Sequence, residues 1–422
     1  MIFNRANILL PKFSKDSVRM NKWSVVACDQ YTSEAEYWAN TAAVVGEDAS
    51  TLNIIVPEIY LNDADVEQRI ANVKNTMSEY IKSGLFEEYK NTFVYVERVQ
   101  NNGAVRRGIV GCVDLEEYDY NAGSKSKIRA TEGTVLSRIP PRLKVRTGAC
   151  IESPHIMMLI DDVQKDIIES NGNIKDSFEL IYDFDLMNDS GHITGYKMSE
   201  AACIALEQKL GALDDNDAFN AKYGTNESSP LIFAVGDGNH SLATAKAYYD
   251  NLKNELGDAA KQSPARFALC ELVNLHDDSL VFEAIHRVVF GADGDDLVSE
   301  LGKMYNISYD TNAEGHKITL VTGGKKTDIV ITDSSECLAV GAVQKFLDAY
   351  CNDNGCEVDY IHGEDVVCKL CEDGKNVGIL LDAMDKGDLY KSVVLEGALP
   401  RKTFSMGEAC DKRFYVECRN IK

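Results

Sequence analysis

The sequence predicts an α+β fold with mixed sheets, organised as a main region and a smaller α+β lobe. Helical and strand-like hydrophobic patterns occur side by side, and they lack the regular alternation that a doubly wound fold requires. The length of 422 residues exceeds what one hydrophobic core usually serves. We expect residues 1–281 to form the main region, residues 282–375 the smaller lobe, and residues 376–422 a C-terminal segment that returns to the main region.

The individual elements follow from hydrophobic spacing and from stop signals at glycine. In the main region we expect a helix that starts with the capping-box pair Ser33 and Glu36 and ends near Gly46, a helix over 63–83 ended by Gly84, a hairpin of 92–99 and 105–115, a buried strand over 155–162, a helix over 199–210, and strands over 231–235 and 265–275. In the rest of the chain we expect a helix near 295–305, a hairpin over 316–332, a helix over 337–351, a strand from Asn376, a helix ended by Gly397, and a loop bearing Pro400, Arg401, Lys402, Thr403 and Ser405.

The most informative stretch is VGDGNHSLATAK, residues 235–246. It joins a buried strand to a helix through a glycine turn, which predicts an anion site. Glycine lets the backbone approach a ligand, and the N–H groups of a first helical turn carry partial positive charge. Asp237 and His240 add an acid and a titratable imidazole. The alternative is a structural turn in which Asn239 caps the helix and Asp237 bonds to the turn backbone.

A second candidate is the basic segment, residues 125–146. It holds seven cations and one acid, Glu132, in a chain of net charge −23. Such a segment indicates a phosphate or carboxylate ligand, with a solvated basic strand as the alternative. The net charge argues against nucleic acid as a partner. The seven cations are Lys125, Lys127, Arg129, Arg138, Arg142, Lys144 and Arg146.

The cysteines and the remaining histidines are interpreted as structural. Twelve cysteines without an export signal or an apolar run long enough to span a membrane indicate reduced thiols in the cytoplasm. Four of them have a spacing loosely like a zinc ribbon, but they fall in helical patterns, so no zinc is expected at Cys351, Cys356, Cys368 and Cys371. His155, His286 and His362 adjoin apolar residues, and a turn role is the expectation for His276.

Several motifs together resemble the domain-of-unknown-function family number 1015, nearly from end to end. These motifs are VACDQYTSEAEYW, IPPR at 139–142, YDFDLM, VGDGNHSLATAK, VDYIHGEDV and GALPRKTFSMGEA. The glycine-rich motif is also similar to the phosphate-binding corner of the ParB/sulfiredoxin superfamily. That superfamily includes nucleotide-binding partition proteins, sulfiredoxin and kinases of free serine. The resemblance therefore implies a ParB/sulfiredoxin-like core into which the smaller lobe is inserted.

The chain departs from the family pattern at the corner. Family members often carry Asp-Gly-His-His-Arg, whereas this chain has Ser241 in place of the arginine and Asn239 in place of a histidine. A His-Glu-x-Thr pattern corresponds to residues 131–134, again without the histidine. The terminal Pro-x-Lys-Ser/Thr pattern matches residues 400–403. An anion would then be held from elsewhere, by Arg142, Arg146 or Lys402, or the activity has changed.

These observations give one leading function and one alternative. The leading interpretation is phosphoryl transfer, by a kinase or phosphatase, on a small hydroxylated metabolite such as serine or phosphoserine. The alternative is a nucleotide- or metabolite-binding regulator with the same anion pocket and no turnover. A DNA-partition role is disfavoured by the charge and by the lack of a helix-turn-helix pattern. Mg²⁺ and a nucleotide are the expected cofactors, and the oligomeric state stays open.

The candidate residues are assigned on this basis. The catalytic candidates are Asp237, Glu132, His240 and Lys402, with Asp237 also the candidate ligand of Mg²⁺. The candidates for binding the phosphate or the rest of the ligand are Gly236, Gly238, Asn239, Ser241, Arg138, Arg142, Arg146, Thr134, Arg401 and Thr403. We expect the corner, the basic segment and the loop around Lys402 to meet in one cleft.

Overall fold

The chain divides into two compact units. The computed structural model describes residues 1–121, 123–153 and 155–422. The first unit comprises residues 1–280 and 408–422, and the second comprises residues 281–407. The C-terminal segment of the first unit therefore begins after Gly407, and not at residue 376 as the sequence predicts. The reason is that the strand Asn376–Leu380 pairs with two other strands of the second unit.

The first unit contains most of the strands and helices. Its strands before residue 281 are β1 (Phe3–Asn4), β2 (Ala6–Pro11), β3 (Phe86–Thr92), β4 (Val94–Val99), β5 (Val105–Asp114), β6 (Tyr118–Asp119), β7 (Ile128–Ala130), β8 (Ile151–Glu152), β9 (Met157–Ile160), β10 (Glu179–Asp185), β11 (His192–Lys197), β12 (Phe233–Asp237) and β13 (Phe267–Asn274). Its helices are α1 (Ser17–Trp23), α2 (Ala35–Val45), α3 (Val66–Lys82), α4 (Ile139–Arg146), α5 (Glu200–Gly211), α6 (Asn216–Tyr223) and α7 (Asn239–Leu256).

The second unit is a smaller α+β body. Its strands are β14 (Phe282–Phe290), β15 (Ile307–Ser308), β16 (His316–Thr322), β17 (Lys325–Ile331), β18 (Glu357–His362), β19 (Asn376–Leu380) and β20 (Phe404–Met406). Its helices are α8 (Gly294–Met304), α9 (Ala339–Asn354), α10 (Glu364–Leu370) and α11 (Lys386–Glu396). The last strand of the chain, β21 (Arg419–Asn420), belongs to the first unit and pairs with β8.

A ten-stranded mixed sheet organises the first unit, in the order β10-β11-β4-β5-β13-β9-β12-β7-β6, with β1 on β5. Pairing is parallel between β12 and β7 and between β13 and β9, and antiparallel between β12 and β9. The second unit has a sheet of order β15-β17-β16-β19-β14-β18, with β20 on β14, and its pairs are antiparallel. The predicted α+β class with mixed sheets is confirmed.

The large sheet is covered on both faces, as alternation along β5 shows. Val110 and Cys112 belong to one hydrophobic cluster, whereas Ile109 and Val113 belong to another. Successive residues of a strand point to opposite faces, so each face has its own core. Helix α7 packs on the second cluster through buried residues such as Leu242 and fixes its own N-terminus at the edge of the sheet. Helix α4 packs against α7.

Most predicted elements are present, with one error in a helix start. Helix α3, the β4–β5 hairpin and the strand β12 lie where the spacing predicts them. Helix α2 ends before Gly46 as expected, but its N-cap is Glu34 and no side chain caps it, so the predicted capping box of Ser33 and Glu36 is wrong. Among the described residues, no helix combines the length and apolar character needed to cross a bilayer.

Candidate functional site

The glycine corner leaves the first turn of α7 without a cap. Strand β12 ends at Asp237, Gly238 occupies the N-cap position with φ +80°, and α7 begins at Asn239. A side chain at Gly238 would be strained and would meet Ile156 at 3.0 Å, so glycine is required there. No side chain caps the helix, so the Asn239 cap of the alternative structural turn is wrong, whereas the bond of Asp237 to the turn backbone that the same alternative predicted is present. Among the described residues, the N–H groups of residues 239–241 meet no acceptor, which is the arrangement of an anion site.

Polar oxygens around this turn are buried and have no hydrogen-bond partner in the part of the chain that the structure describes. They are Asp237 Oδ2, Asn239 Oδ1 and Thr134 Oγ1. The other carboxylate oxygen, Asp237 Oδ1, accepts from the Gly238 N–H at 3.1 Å. Lys412 Nζ lies 3.7 Å from Asp237 Oδ2 and supplies a counter-charge. Because buried polar groups are normally satisfied, three such oxygens at one turn indicate a ligand-binding surface.

The segment 131–135 lies against this corner because β7 runs parallel to β12. Parallel strands end at the same edge of a sheet, so the residues after β7 meet those after β12. Thr131 Oγ1 donates to Val235 O at 2.7 Å, and the Val135 N–H donates to His240 Nε2 at 3.3 Å. The half-buried Glu132 follows β7 in this segment. The structure thus brings the two family motifs, 131–134 and 237–241, to one place.

A buried histidine cluster adjoins the same turn. His155 Nδ1 hydrogen-bonds the Tyr415 hydroxyl at 2.7 Å, and its Nε2 lies 3.3 Å from both Ser241 Oγ and Asp29 Oδ2. Burial opposes the charged imidazole, but Asp29 raises the pKa of His155 above its usual value. Burial likewise opposes the charged Asp29, yet His155 and the Gln30 amide hold its pKa well below the usual range. Sequence reasoning assigned His155 only a structural role and missed Asp29, although Asp29 lies in a quoted family motif.

The two histidines near α7 titrate in opposite directions. Burial, together with the positive charges of Arg142 and Arg138, lowers the pKa of His240 to about 4. His155, beside Asp29, has a raised pKa instead. At neutral pH His240 is therefore neutral, and its Nε2 accepts the hydrogen bond from the Val135 N–H. Opposite shifts of neighbouring groups are typical of sites that handle protons.

The basic segment differs from its prediction, since carboxylates pair with six of its seven cations. Glu227 pairs with Lys125 and Arg129, and Glu58 pairs with Arg142. The remaining pairs are Lys127–Asp214, Lys144–Glu67 and Arg146–Glu152. Among the described residues, Arg138 has no carboxylate partner, and it is exposed at the start of α4. The segment as a whole is therefore not a free basic surface, and Arg138 is its available cation.

The loop after α11 belongs to the second unit. Arg401 Nε donates to the Tyr360 hydroxyl at 2.8 Å, and its guanidinium lies 5.5 Å from the centre of that ring. Thr403 is buried, and its hydroxyl donates to Pro400 O at 2.7 Å. Lys402 is exposed with φ +57°. That this loop and the corner lie in one cleft stays a prediction.

The C-terminal segment 408–422 contributes the residues that sequence reasoning missed. It carries Lys412 and Tyr415 to the corner, and a buried ion network holds it there. Arg413 Nε lies 2.9 Å from Glu271, and its Nη2 lies 2.6 Å from Glu417. The hydroxyl of Tyr182 donates to Glu417 at 2.5 Å. Arg413 and Glu417 lie four residues apart, but Glu271 and Tyr182 are more than a hundred residues away from them, so no local pattern in the sequence signals the network.

The four cysteines of the ribbon-like spacing pack on two different hydrophobic clusters. Cys351 and Cys356 contact the cluster under α9, and Cys368 and Cys371 contact the cluster under α10. Cys351 lies within α9, Cys368 lies within α10, and Cys371 caps the end of α10. The expectation of no zinc at these positions stays a prediction, which zinc analysis of the purified protein tests.

Comparison with protein families finds one matching family, described as "Protein of unknown function (DUF1015)", over residues 13–350. The chain belongs to this family. The DUF1015 match spans the 131–134 segment and the α7 corner, the two motifs that the fold brings together. A comparison with curated proteins finds no match.

Several solved structures have a weak likeness to this DUF1015 protein. A conserved hypothetical protein from Pyrococcus furiosus is 12% identical over 74% of this chain and 94% of its own, with a TM-score of 0.35. A free serine kinase in complex with AMP is 12% identical over 74% and 90%, with a TM-score of 0.36. C-terminally truncated SbnI from Staphylococcus aureus is 13% identical over 73% and 82%, with a TM-score of 0.36. At these TM-scores the likeness transfers neither ligand nor activity to this chain.

Proposed function

We propose that this DUF1015 protein transfers a phosphoryl group to or from a small hydroxylated metabolite, with serine or phosphoserine as the first candidate. The observation that carries the proposal is the uncapped first turn of α7. Its N–H groups at residues 239–241 lack acceptors in the described part of the chain and stand beside Asp237 Oδ2, which lacks a hydrogen-bond donor there. Helix N-termini bind phosphate through such N–H groups and through the helix dipole.

In this proposal the phosphate oxygens accept hydrogen bonds from the first turn of α7, and Arg138 neutralises part of their charge. Arg138 is free to do so because no carboxylate of the described residues pairs with it. Arg142 adds positive potential even though Glu58 pairs with it, since both arginines lower the pKa of His240. Phosphoryl transfer needs mainly positioning and charge neutralisation, which these groups supply.

Asp237 is the proposed group that orients the hydroxyl and accepts its proton. Its Oδ2 is available for the substrate, while its Oδ1 is held by the Gly238 N–H. A carboxylate so close to a phosphate needs a counter-cation. Lys412, at 3.7 Å, is placed for that role, which sequence reasoning gave to Lys402. Glu132 is the second candidate base, and His240 holds the 131–135 segment in place through Val135.

The donor atoms at the corner also fit a magnesium ion. Asp237 Oδ2, Asn239 Oδ1 and Thr134 Oγ1 are hard oxygen atoms without hydrogen-bond partners among the described residues. Mg²⁺ prefers oxygen ligands and usually binds through one or two carboxylates together with substrate phosphates. When bound, the ion would neutralise phosphate charge and would occupy Asp237 Oδ2, and Glu132 would then be the group that accepts the proton of the hydroxyl. The proposed phosphate donor is a nucleotide.

The wider expectations from the resemblance are part of this proposal. We place the protein in the cytoplasm, which its twelve free cysteines support. The ParB/sulfiredoxin-like core of the first unit rests on the motif similarity at the corner. A non-catalytic regulator remains the second candidate function, because Ser241 and Asn239 stand where many family members carry an arginine and a histidine.

A product assay separates the two functions. The full chain is first screened by thermal shift against a panel of phosphorylated metabolites and nucleotides. It is then incubated with serine, ATP and Mg²⁺, or with phosphoserine and Mg²⁺, and the products are identified by mass spectrometry. Formation of phosphoserine or release of phosphate supports the enzyme. Stabilisation by these ligands without any product supports the regulator, and no response to any anion contradicts both.

A further inference from the structure

A mostly apolar cavity of about 150 Å³ lies beside the first turn of α7 in the first unit. Its apolar wall includes Val56, Met77, Ala149 and Ile151. Ser241 and Thr244 of α7 form part of its polar wall. An apolar cavity of about this size holds a molecule as large as benzene. The volume therefore suits a single ring or a branched hydrocarbon chain.

The polar side chains that line the cavity are engaged with one another or with the backbone, apart from the buried Nε of Arg146. Arg142 pairs with Glu58, and Arg146 pairs with Glu152. His155 bonds Tyr415 and Ser241, and Ser153 and Thr244 donate to backbone carbonyls. A purine would need both donors and acceptors along its edge, and the unpaired Arg146 Nε offers one donor and no acceptor. The cavity is accordingly matched to a hydrocarbon group.

The cavity and the α7 corner share residues, so one ligand can occupy both. Ser241 lies in the turn whose N–H groups are proposed to bind phosphate. Ser241 also lines the cavity, where its hydroxyl hydrogen-bonds His155, another lining residue. Arg142 also lines the cavity, and its charge lowers the pKa of His240 at the corner. A ligand whose phosphate sits on the turn would extend past Ser241 into the apolar space.

We infer that the substrate is a hydroxylated metabolite that carries a hydrocarbon group of single-ring size beside the phosphorylated position. This inference rests on the proposed function and narrows its substrate class. Free serine would leave the apolar wall without contacts, and each methylene buried against such a wall is worth about fourfold in affinity. The hydrocarbon-bearing substrate is therefore expected to be preferred over serine by at least about tenfold.

Calorimetric titration of the full chain with simple probes tests this inference. The probes are inorganic phosphate, benzyl phosphate, benzyl alcohol and AMP. We expect benzyl phosphate to bind at least tenfold more tightly than phosphate. AMP represents the proposed nucleotide donor, which the cavity does not hold, so its affinity is expected to stay the same when the cavity is filled by Ala149→Leu. Equal affinities for benzyl phosphate and phosphate would overturn the inference, and so would an AMP affinity that Ala149→Leu lowers as much as it lowers the affinity for benzyl phosphate.

Two opposite variants locate the effect in the cavity. Ala149→Leu fills the space and should abolish the benzyl advantage while the affinity for phosphate changes less than twofold. Met77→Ala enlarges it and should raise the preference for naphthylmethyl phosphate over benzyl phosphate at least fivefold. Ile70→Ala, a matched truncation of a buried residue on the same helix that is not part of the cavity wall, should change neither ratio. Affinity ratios that stay unchanged in both cavity variants would overturn the inference.

Failure of the proposed function has a different signature. If neither phosphate nor benzyl phosphate binds through the corner, the anion site is wrong. Titration with benzyl alcohol then still tests the cavity. Binding of benzyl alcohol that Ala149→Leu removes supports a hydrocarbon site, and the absence of detectable binding overturns the inference.

Discussion

The corner at 236–241 and the basic segment at 125–146 are both candidate anion sites by sequence, and the structure separates them. The corner has few charges, yet its first-turn N–H groups and three of its oxygens have no hydrogen-bond partner among the described residues. The basic segment has seven cations, and carboxylates pair with six of them. Free hydrogen-bonding capacity, and not the number of charges, distinguishes a ligand site from a surface.

The overall charge explains why the cations are paired. At −23 the chain offers an excess of carboxylates, so a cation on its surface readily meets one. Each exposed pair adds little stability, but it still reduces the charge available to a ligand. Backbone N–H groups at a helix N-terminus differ in this respect, since no carboxylate pairs with them when the helix lacks a cap, and they stay open to water or to a ligand. Helix α7 has no such cap.

The largest expected effect comes from Asp237→Asn at the corner. Turnover should fall at least about 100-fold, because a positioned base is lost. The Tm should change little, since the amide oxygen can still accept from the Gly238 N–H. In metal-free buffer phosphoserine binding should tighten, because a repulsive charge is gone. Tm and phosphoserine affinity are measured on the same variant, with and without Mg²⁺. A lower Tm with a parallel loss of affinity and no Mg²⁺-linked change would identify Asp237 as structural.

In the basic segment, Arg129→Met should affect stability and not binding. Arg129 is buried and pairs with Glu227 at 3.3 Å. Its removal should destabilise the protein by about 2 kcal/mol, below the usual cost of breaking a buried pair, because Lys125 still pairs with Glu227. Chemical denaturation gives the free energy of unfolding, and calorimetry gives the phosphoserine affinity. If the folded variant lost more than about threefold in phosphoserine affinity, the basic segment would be part of the binding surface.

A matched pair of substitutions in and beside α4 compares a free cation with a paired one. Arg138→Ala should weaken phosphoserine binding about tenfold, the size of one charge-assisted hydrogen bond. Lys144→Ala removes the same charge from a residue that already pairs with Glu67, so it should change the affinity less than twofold. Calorimetric titration measures both variants. Equal losses in both would mean that only general charge matters.

The smallest effect concerns the titration of His240. Its folded pKa, about 4, lies below the usual value near 6.5, so the unfolded chain binds more protons between these limits. Stability from this group is therefore complete above about pH 6.5 and is lost as the pH falls toward 4. Arg138→Ala should raise the pKa of His240, since a nearby positive charge is removed. Imidazole NMR titration measures the shift, and an unchanged pKa would place Arg138 outside the corner.

Local features of the fold are predictable because they depend on neighbouring residues. The periodicity of α3, the hairpin turn between β4 and β5, and the strand-to-helix corner at Gly238 all follow from short stretches of sequence. The α2 cap fails, because Ser33 precedes the true N-cap by one residue. A one-residue displacement lies within the usual uncertainty of helix ends.

The partners of the corner are not predictable in the same way. His155 meets Tyr415 across 260 residues of chain, and Lys412 reaches Asp237 only because the buried Arg413 network holds the C-terminal segment in the first unit. Whether a cation is free or paired is equally non-local: Arg142 finds Glu58, 84 residues away. Sequence alone cannot give these pairings, since they depend on the completed fold.

A backbone amide NMR titration with phosphoserine shows whether the first turn of α7 binds the phosphate. We expect the amide signals of Asn239, His240 and Ser241 to shift in a saturable way, because their N–H groups donate to the phosphate. The amide signals of residues 125–129 should shift no more than the average amide signal of the protein. Shifts concentrated at residues 125–129, or a saturable binding event that leaves the three α7 amides unmoved, would contradict the account.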